Sequence, residues 1–381
     1  MNNCINTFIE SKKLTLSHKK CFNIHIGKGH KNCPTLFVHD KVMKESENEK
    51  YLGDYIDKTG SINATIQSRK AKGKGIVTGI MAILTEIPLG SHKMDVAMKL
   101  REAMLVNGIL YNSEAWHGLT KEHVKTLEAI DEDYLRRILK AHAKTPHEFL
   151  YLETGATPIK WIIAQRRITF LKFILSKENT ELVKRVLEAQ KQDPTPGDYI
   201  KLVEKDMLDL NITLKDIEES TKVELKKMVK ESATTVSFEE LKKQLLKHKK
   251  VKHIEYESLQ MQPYLRSKNI HSDEVNSITA SRSKCVRTIR SNLSKMFKNR
   301  LTCPLLCNKE SPMIDTQDHV LICSKLKEPN PCNLVIGDVF GSVEEQEQVG
   351  QVFSKAMRQR KRLLDEFDNM YQEHSWTRAL F

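Results

Sequence analysis

The chain has 381 residues, enough for two or three compact domains, and 39% of them are hydrophobic, so it can bury real cores. Its 62 Lys and Arg against 49 Asp and Glu leave a formal net charge of +13, which fits a polyanionic partner such as RNA or DNA and, equally, ordinary solubilising lysine. No run approaches the ~18 uninterrupted apolar residues of a membrane span, and MNNCINTFIESKK lacks the apolar stretch of a secretory signal.

An intracellular protein, nuclear or cytoplasmic and away from the membrane, is therefore expected. Eight cysteines in a chain this long do not make a disulfide scaffold. The last four, Cys303, Cys307, Cys323 and Cys332, crowd together near the C-terminus. In a reducing compartment that clustering points to metal before disulfides.

Residues 1–60 differ from the rest. CINTFIESKKL has helical spacing, with Ile5, Phe8 and Ile9 on one side. The β-prone pieces FNIHIG (22–27), TLFVHD (35–40) and KYLGDYID (50–57) follow, separated by Gly, Asn and Pro turns. The pattern predicts a helix and a small antiparallel meander, too little sheet to stand alone and thus the end of a domain.

From 61 to about 330 the chain reads as helix, so the fold class is mainly α with a small N-terminal α+β piece. Thr120 caps a predicted helix with Leu127, Ile130, Tyr134 and Ile138 on one stripe. Trp161, Ala164, Ile168, Leu171 and Leu175 repeat the spacing, and DPTPG (193–197) stops that run. Both Trp116 and Trp161 fall on apolar stripes and read as core.

Ser237 with Glu240 fits a capping box, as does Ser342 with Glu345. The second opens a helix carrying Val349, Phe353, Met357, Leu364 and Phe367 on one face. The polar stretch 267–283 reads as a linker, and Asp131-Glu132-Asp133 as a solvated acidic face. GKGH (27–30) and AKGKG (71–75) lack the GK[ST] of a phosphate loop and read as turns.

Two stretches carry unopposed cations. One holds Arg69, Lys70, Lys72 and Lys74; the other holds Lys284, Arg287, Arg290, Lys295, Lys298 and Arg300. The second leads directly into Cys303-Pro304-Leu305-Leu306-Cys307, followed after eleven residues by His319 and after three more by Cys323. Two thiolates and an imidazole–thiolate pair at these spacings suit one tetrahedral Zn²⁺. Four protein ligands close the shell and leave no position for a catalytic water, which makes the site structural. Cys332 is an alternative to Cys323, and buried free cysteines beside a chance histidine are the plainer explanation. No Ser-His-Asp or Cys-His arrangement stands out.

Taken in order, LTLSHKKC (14–21), a short strand ending in Gly27, EKYLGDYID (49–57), NGILYNSEAW (107–116) and the terminal Cys-Cys-His-Cys cluster resemble the C-terminal part of a LINE-type, non-LTR retrotransposon reverse transcriptase. The resemblance runs over most of the chain and is faint at 198–283. It implies a palm end at 1–60 with an incomplete sheet, thumb-like helices at 61–150 and a helical linker region at 151–283. A basic stretch with a zinc knuckle at 284–335 and an amphipathic helix at 336–381 complete it. Lys20 then matches the palm lysine, Tyr51, Leu52 and Gly53 match the end of the primer-contacting hairpin, and Arg69, Lys70, Lys72 and Lys74 face template–primer phosphates.

The same family polymerises with paired aspartates that hold two Mg²⁺. No Asp-Asp pair occurs in these 381 residues. Mg²⁺ is therefore expected only in an intact parent enzyme, with no catalytic residue and no polymerase activity in this chain alone. Two further readings stay open: a stand-alone zinc-containing nucleic-acid-binding protein, and a helical interaction scaffold.

Overall fold

The computed structural model describes residues 7–8, 11–13, 17, 21–26, 36–38, 41–87, 92–249, 251–252, 254–267, 272–284, 307, 317–323, 326 and 341–371. These are mainly helical, with a small N-terminal strand piece. The strands are β1 (Phe22–Asn23), β2 (Phe37–Val38), β3 (Lys41–Val42), β4 (Lys44–Glu45), β5 (Asn48–Tyr51) and β6 (Asp54–Asp57). The helices are α1 (Asn63–Glu86), α2 (His92–Leu100), α3 (Lys121–Ile138), α4 (His147–Thr154), α5 (Ile159–Leu175) and α6 (Leu182–Gln192). They continue with α7 (Tyr199–Asp209), α8 (Leu214–Glu219), α9 (Lys222–Leu245), α10 (Ser272–Arg282), α11 (Gln317–Ile322) and α12 (Val343–Tyr371). Two compact units are built from interleaved segments: Met1–Lys74, Asn107–Leu127 and Ile163–Leu225 form one, and Gly75–Val106, Glu128–Ile162 and Lys226–Phe381 the other.

In the first unit the expected meander is instead three separate pairs: β1 with β4 in parallel, β2 with β3 and β5 with β6 antiparallel. KYLGDYID is not one strand but a hairpin, because Leu52 (φ 47°) and Gly53 (φ 99°) turn the chain within it. Two successive positive φ angles are the geometry of a tight hairpin whose twist matches its strands. The φ at Gly53 favours glycine, and a Cβ there would also lie 3.0 Å from Cε1 of Tyr111, so that ring would have to shift slightly.

Helix α1 shows why AKGKG is helix rather than turn. Ile66, Arg69, Gly73, Val77, Ile80 and Leu84 follow one another at spacings of three and four and are all buried, and this stripe carries the helix through the glycines.

Helix α3 begins as expected, within the first unit: the Thr120 hydroxyl accepts from the His123 amide at 3.3 Å. Asp131, in the second unit, is however fully buried rather than solvated. It lies one turn after Leu127 and one turn before Leu135, on the inward face. Arg101 donates to both its oxygens, Nε at 2.7 Å and Nη2 at 2.6 Å, and to the carbonyl of Thr157 at 2.9 Å. The Tyr151 hydroxyl adds a third donor to Asp131 at 3.1 Å.

Ser237 does not start a helix. It sits within α9, wholly buried, donating to the Thr234 carbonyl at 3.0 Å. Leu225, Val229, Ala233, Leu241 and Leu245 place one buried residue per turn on either side of it, so the helix runs through.

DPTPG does stop a helix, but that helix is α6; the run containing Trp161 already ends at Leu175. Trp116 and Trp161 are buried, as their stripes predict. The Ser342–Glu345 box forms as expected at the start of α12: the Ser342 amide donates to Glu345 at 2.6 Å and the Glu345 amide to Ser342 at 3.2 Å.

The expected linker at 267–283 is the largest correction. Residues 272–282 form α10, which packs against α12. Its Thr279 and Arg282 are buried because polar partners await them inside. Glu153, at 0% exposure, accepts from the hydroxyls of Tyr256 (2.5 Å) and Tyr264 (2.7 Å) and from Arg282 Nε (2.9 Å). Burial and the neighbouring carboxylate hold both phenols protonated, far above the ordinary tyrosine range. Helix α4 ends at Gly155 (φ 68°), where a Cβ would fall 2.4 Å from the Met261 amide nitrogen.

One group in this unit is expected to make stability depend on pH. Burial pushes the Glu128 carboxyl up to about 7. The folded state then holds its proton more tightly than the unfolded chain, so stability falls as pH rises from about 4.5 to about 7. Glu128→Gln should therefore stabilise the protein by roughly 1–3 kcal/mol above pH 7 and lose that advantage below about pH 4.5. Urea unfolding at pH 4 and pH 8 measures it; equal differences at both would refute the assignment.

Candidate metal centre

Helix α11 is one and a half turns long, and its pitch puts His319 and Cys323, four residues apart, on the same side. Val320, Leu321 and Leu326 carry this turn into an apolar cluster with Phe353 and Ala356 of α12. Packing against α12 thus fixes where the two donors point. Cys307 packs at the edge of the same cluster, half-buried, and its Sγ lies 3.3 Å from His319 Nε2.

The donor atoms of Cys307, His319 and Cys323 all fall within 4.8 Å of one another, with His319 and Cys323 buried. Tetrahedral coordination at about 2.3 Å for sulfur and 2.0–2.1 Å for nitrogen sets donor atoms about 3.5–3.8 Å apart. The three side chains therefore need shifts of no more than about an ångström to hold a metal ion. Among the described residues this is the one His, Cys, Asp or Glu group so arranged. Cys303 and the alternative ligand Cys332 lie outside the described residues.

The residues expected to meet nucleic acid divide sharply. Tyr51 and Leu52 project from the hairpin tip at 63% and 72% exposure. Lys70, Lys72 and Lys74 are exposed on α1. Arg69 is used otherwise. It is buried on the inward stripe, where its Nη2 pairs with Asp54 and donates to the carbonyls of Gly53 (3.1 Å) and Tyr111 (3.3 Å). Its role is to clamp the hairpin, with Trp116 Nε1 reaching the other Asp54 oxygen at 3.4 Å.

Lys284 is exposed and takes a left-handed conformation (φ 50°) just after α10. Lys20, Arg287, Arg290, Lys295, Lys298 and Arg300 lie outside the described residues.

The sequence reading missed Arg101, Asp131 and Glu153 as members of buried polar networks. The signal was present in their spacing: each charge falls on an otherwise apolar stripe. Among the described residues no helix is long and apolar enough to cross a membrane. Compared with protein-family models, with curated proteins and with solved structures, the chain matches none.

Proposed function

We propose that the chain is the nucleic-acid-gripping, non-catalytic C-terminal portion of a non-LTR retrotransposon reverse transcriptase, stabilised by a structural zinc knuckle. The observation that carries this reading is order: a Lys20 segment, a Tyr51-Leu52-Gly53 hairpin tip, a lysine-bearing helix, and a downstream Cys/His cluster follow one another as they do in that family. In this reading 1–60 is the palm end, α1 belongs to the thumb, and RNA–DNA template–primer is the partner.

Soft thiolates with one imidazole favour Zn²⁺ over harder ions. Cys307, His319 and Cys323, with Cys303 or Cys332 as the fourth donor, would hold it and tie the α11 turn to α12. Zinc there supplies cross-linking and no reaction. Lys70 and Lys72 contact backbone phosphates, which sets register without reading sequence. Tyr51 and Leu52 rest their apolar faces on the primer end. No Asp-Asp pair is present to hold Mg²⁺, so synthesis is absent.

The test is affinity for an RNA–DNA hybrid duplex. Replacing Lys70 and Lys72 by Glu should weaken binding at least about tenfold and flatten its salt dependence by about two charges. Thermal stability should not change, because both side chains are exposed. Unaltered affinity would remove α1 from the interface, and primer extension by the purified chain would refute the non-catalytic reading.

A further inference from the structure

The second unit holds a cavity of about 320 Å³ that nothing above employs. Its walls are apolar: Met81 and Leu84 of α1, Met94 and Ala97 of α2, Ile138 at the end of α3, and Leu265. Three cations, Lys93, Arg137 and Lys140, share its lining, and no acidic side chain does so among the described residues. Arg137 does pair with Asp133, at 2.9 Å on a half-exposed surface, where such pairing is weak.

The volume is about twice the ~150 Å³ that encloses a benzene and lies at the small end of ligand pockets. It has room for one chain or ring system of about eight to ten carbons. The walls are also fixed in advance. Tyr264, which lines the cavity, is held through its hydroxyl by Glu153 at 2.7 Å, and the Tyr134 hydroxyl donates to the Ala97 carbonyl at 2.5 Å. Preformed walls spare a ligand the cost of ordering them.

We infer that this cavity binds a small amphipathic organic anion, its apolar body against Leu84, Met94 and Ile138 and its single carboxylate or sulfonate beside Lys93, Arg137 and Lys140. Charge complementarity selects this class. A neutral hydrocarbon gains nothing from the cations in the lining, and a polyanion such as nucleic acid cannot use the apolar walls. The inference is independent of the proposed polymerase relationship.

Calorimetric titration of the full chain with sodium octanoate, and with 1-octanol as the uncharged match, tests it. Saturable one-to-one octanoate binding, at least about tenfold tighter than octanol, is expected. Lys93→Glu should weaken octanoate about tenfold and leave octanol unchanged, which also reports that the fold persists. Met81→Trp, which fills the cavity from a half-buried position, should weaken both ligands. No saturable octanoate binding, equal affinity for the two ligands, or indifference to Lys93→Glu would each overturn the inference.

Discussion

Glu153→Ala is expected to destabilise the second unit by about 3–5 kcal/mol. Three donors converge on this carboxylate, and both it and Arg282 are almost wholly excluded from water. Alanine would leave the Arg282 guanidinium buried without its counter-charge and strand the hydroxyl of Tyr256. Tyr264 would keep only Thr279, 3.2 Å away. The penalty is chiefly that of stranded groups, since a paired buried charge adds little net stability of its own. Replacing Glu153 and Arg282 together by Met should accordingly recover most of the loss. Urea unfolding of the three proteins measures it. A single variant within about 1 kcal/mol of the parent would mean that water reaches the cluster.

Removing the proposed metal is expected to have the second large effect. With the ion gone, two thiols and an imidazole crowd within 4.8 Å in an apolar setting, and Cys307 loses the metal bond that would tie it to α11. Structural zinc contributes on the order of 10 kcal/mol in small zinc modules at neutral pH, though the packing of Phe353 and Ala356 against α11 will carry part of the burden here. Chelation, or Cys323→Ser, should lower the thermal midpoint and sharply raise amide exchange over 317–323. Amides of α7, in the other unit, should be unaffected. Metal analysis should find one zinc per chain in the parent and almost none in the variant. A stoichiometry near zero in the parent would leave two buried side chains beside a half-buried thiol, and no knuckle.

How far the sequence could be read depended on what each residue's neighbours were. Helices with apolar stripes were legible, as in α3 and α12, because periodicity depends only on which face is buried. Caps were legible where the serine or threonine stood outside the stripe, as at Thr120 and Ser342. Ser237 failed for the opposite reason: it occupies a stripe position, and its small size suits close packing. The polar stretch that became α10 misled because composition cannot distinguish a solvated polar residue from one whose partner is distant in sequence. Arg282 and Glu153 are 129 residues apart. Arg69 and Asp131 misled likewise, as charges on inward faces neutralised by Asp54 and Arg101.

The metal cluster was legible from spacing, since a Cys/His set needs only a helical turn to bring His319 beside Cys323. Its contact with Cys307, twelve residues away, required the fold. The hairpin was half legible. Leu52-Gly53 is a turn by its φ angles, yet Leu at the first turn position is a poor signal for one.

The most direct measurement is equilibrium binding of the purified, zinc-loaded chain to an RNA–DNA hybrid duplex across a range of salt concentrations. A grip made of phosphate contacts predicts tight association at low salt, with a log–log slope of several charges, on the order of −4 or steeper. Absence of binding at low salt, or an affinity that hardly moves as salt rises, would contradict a nucleic-acid-gripping role.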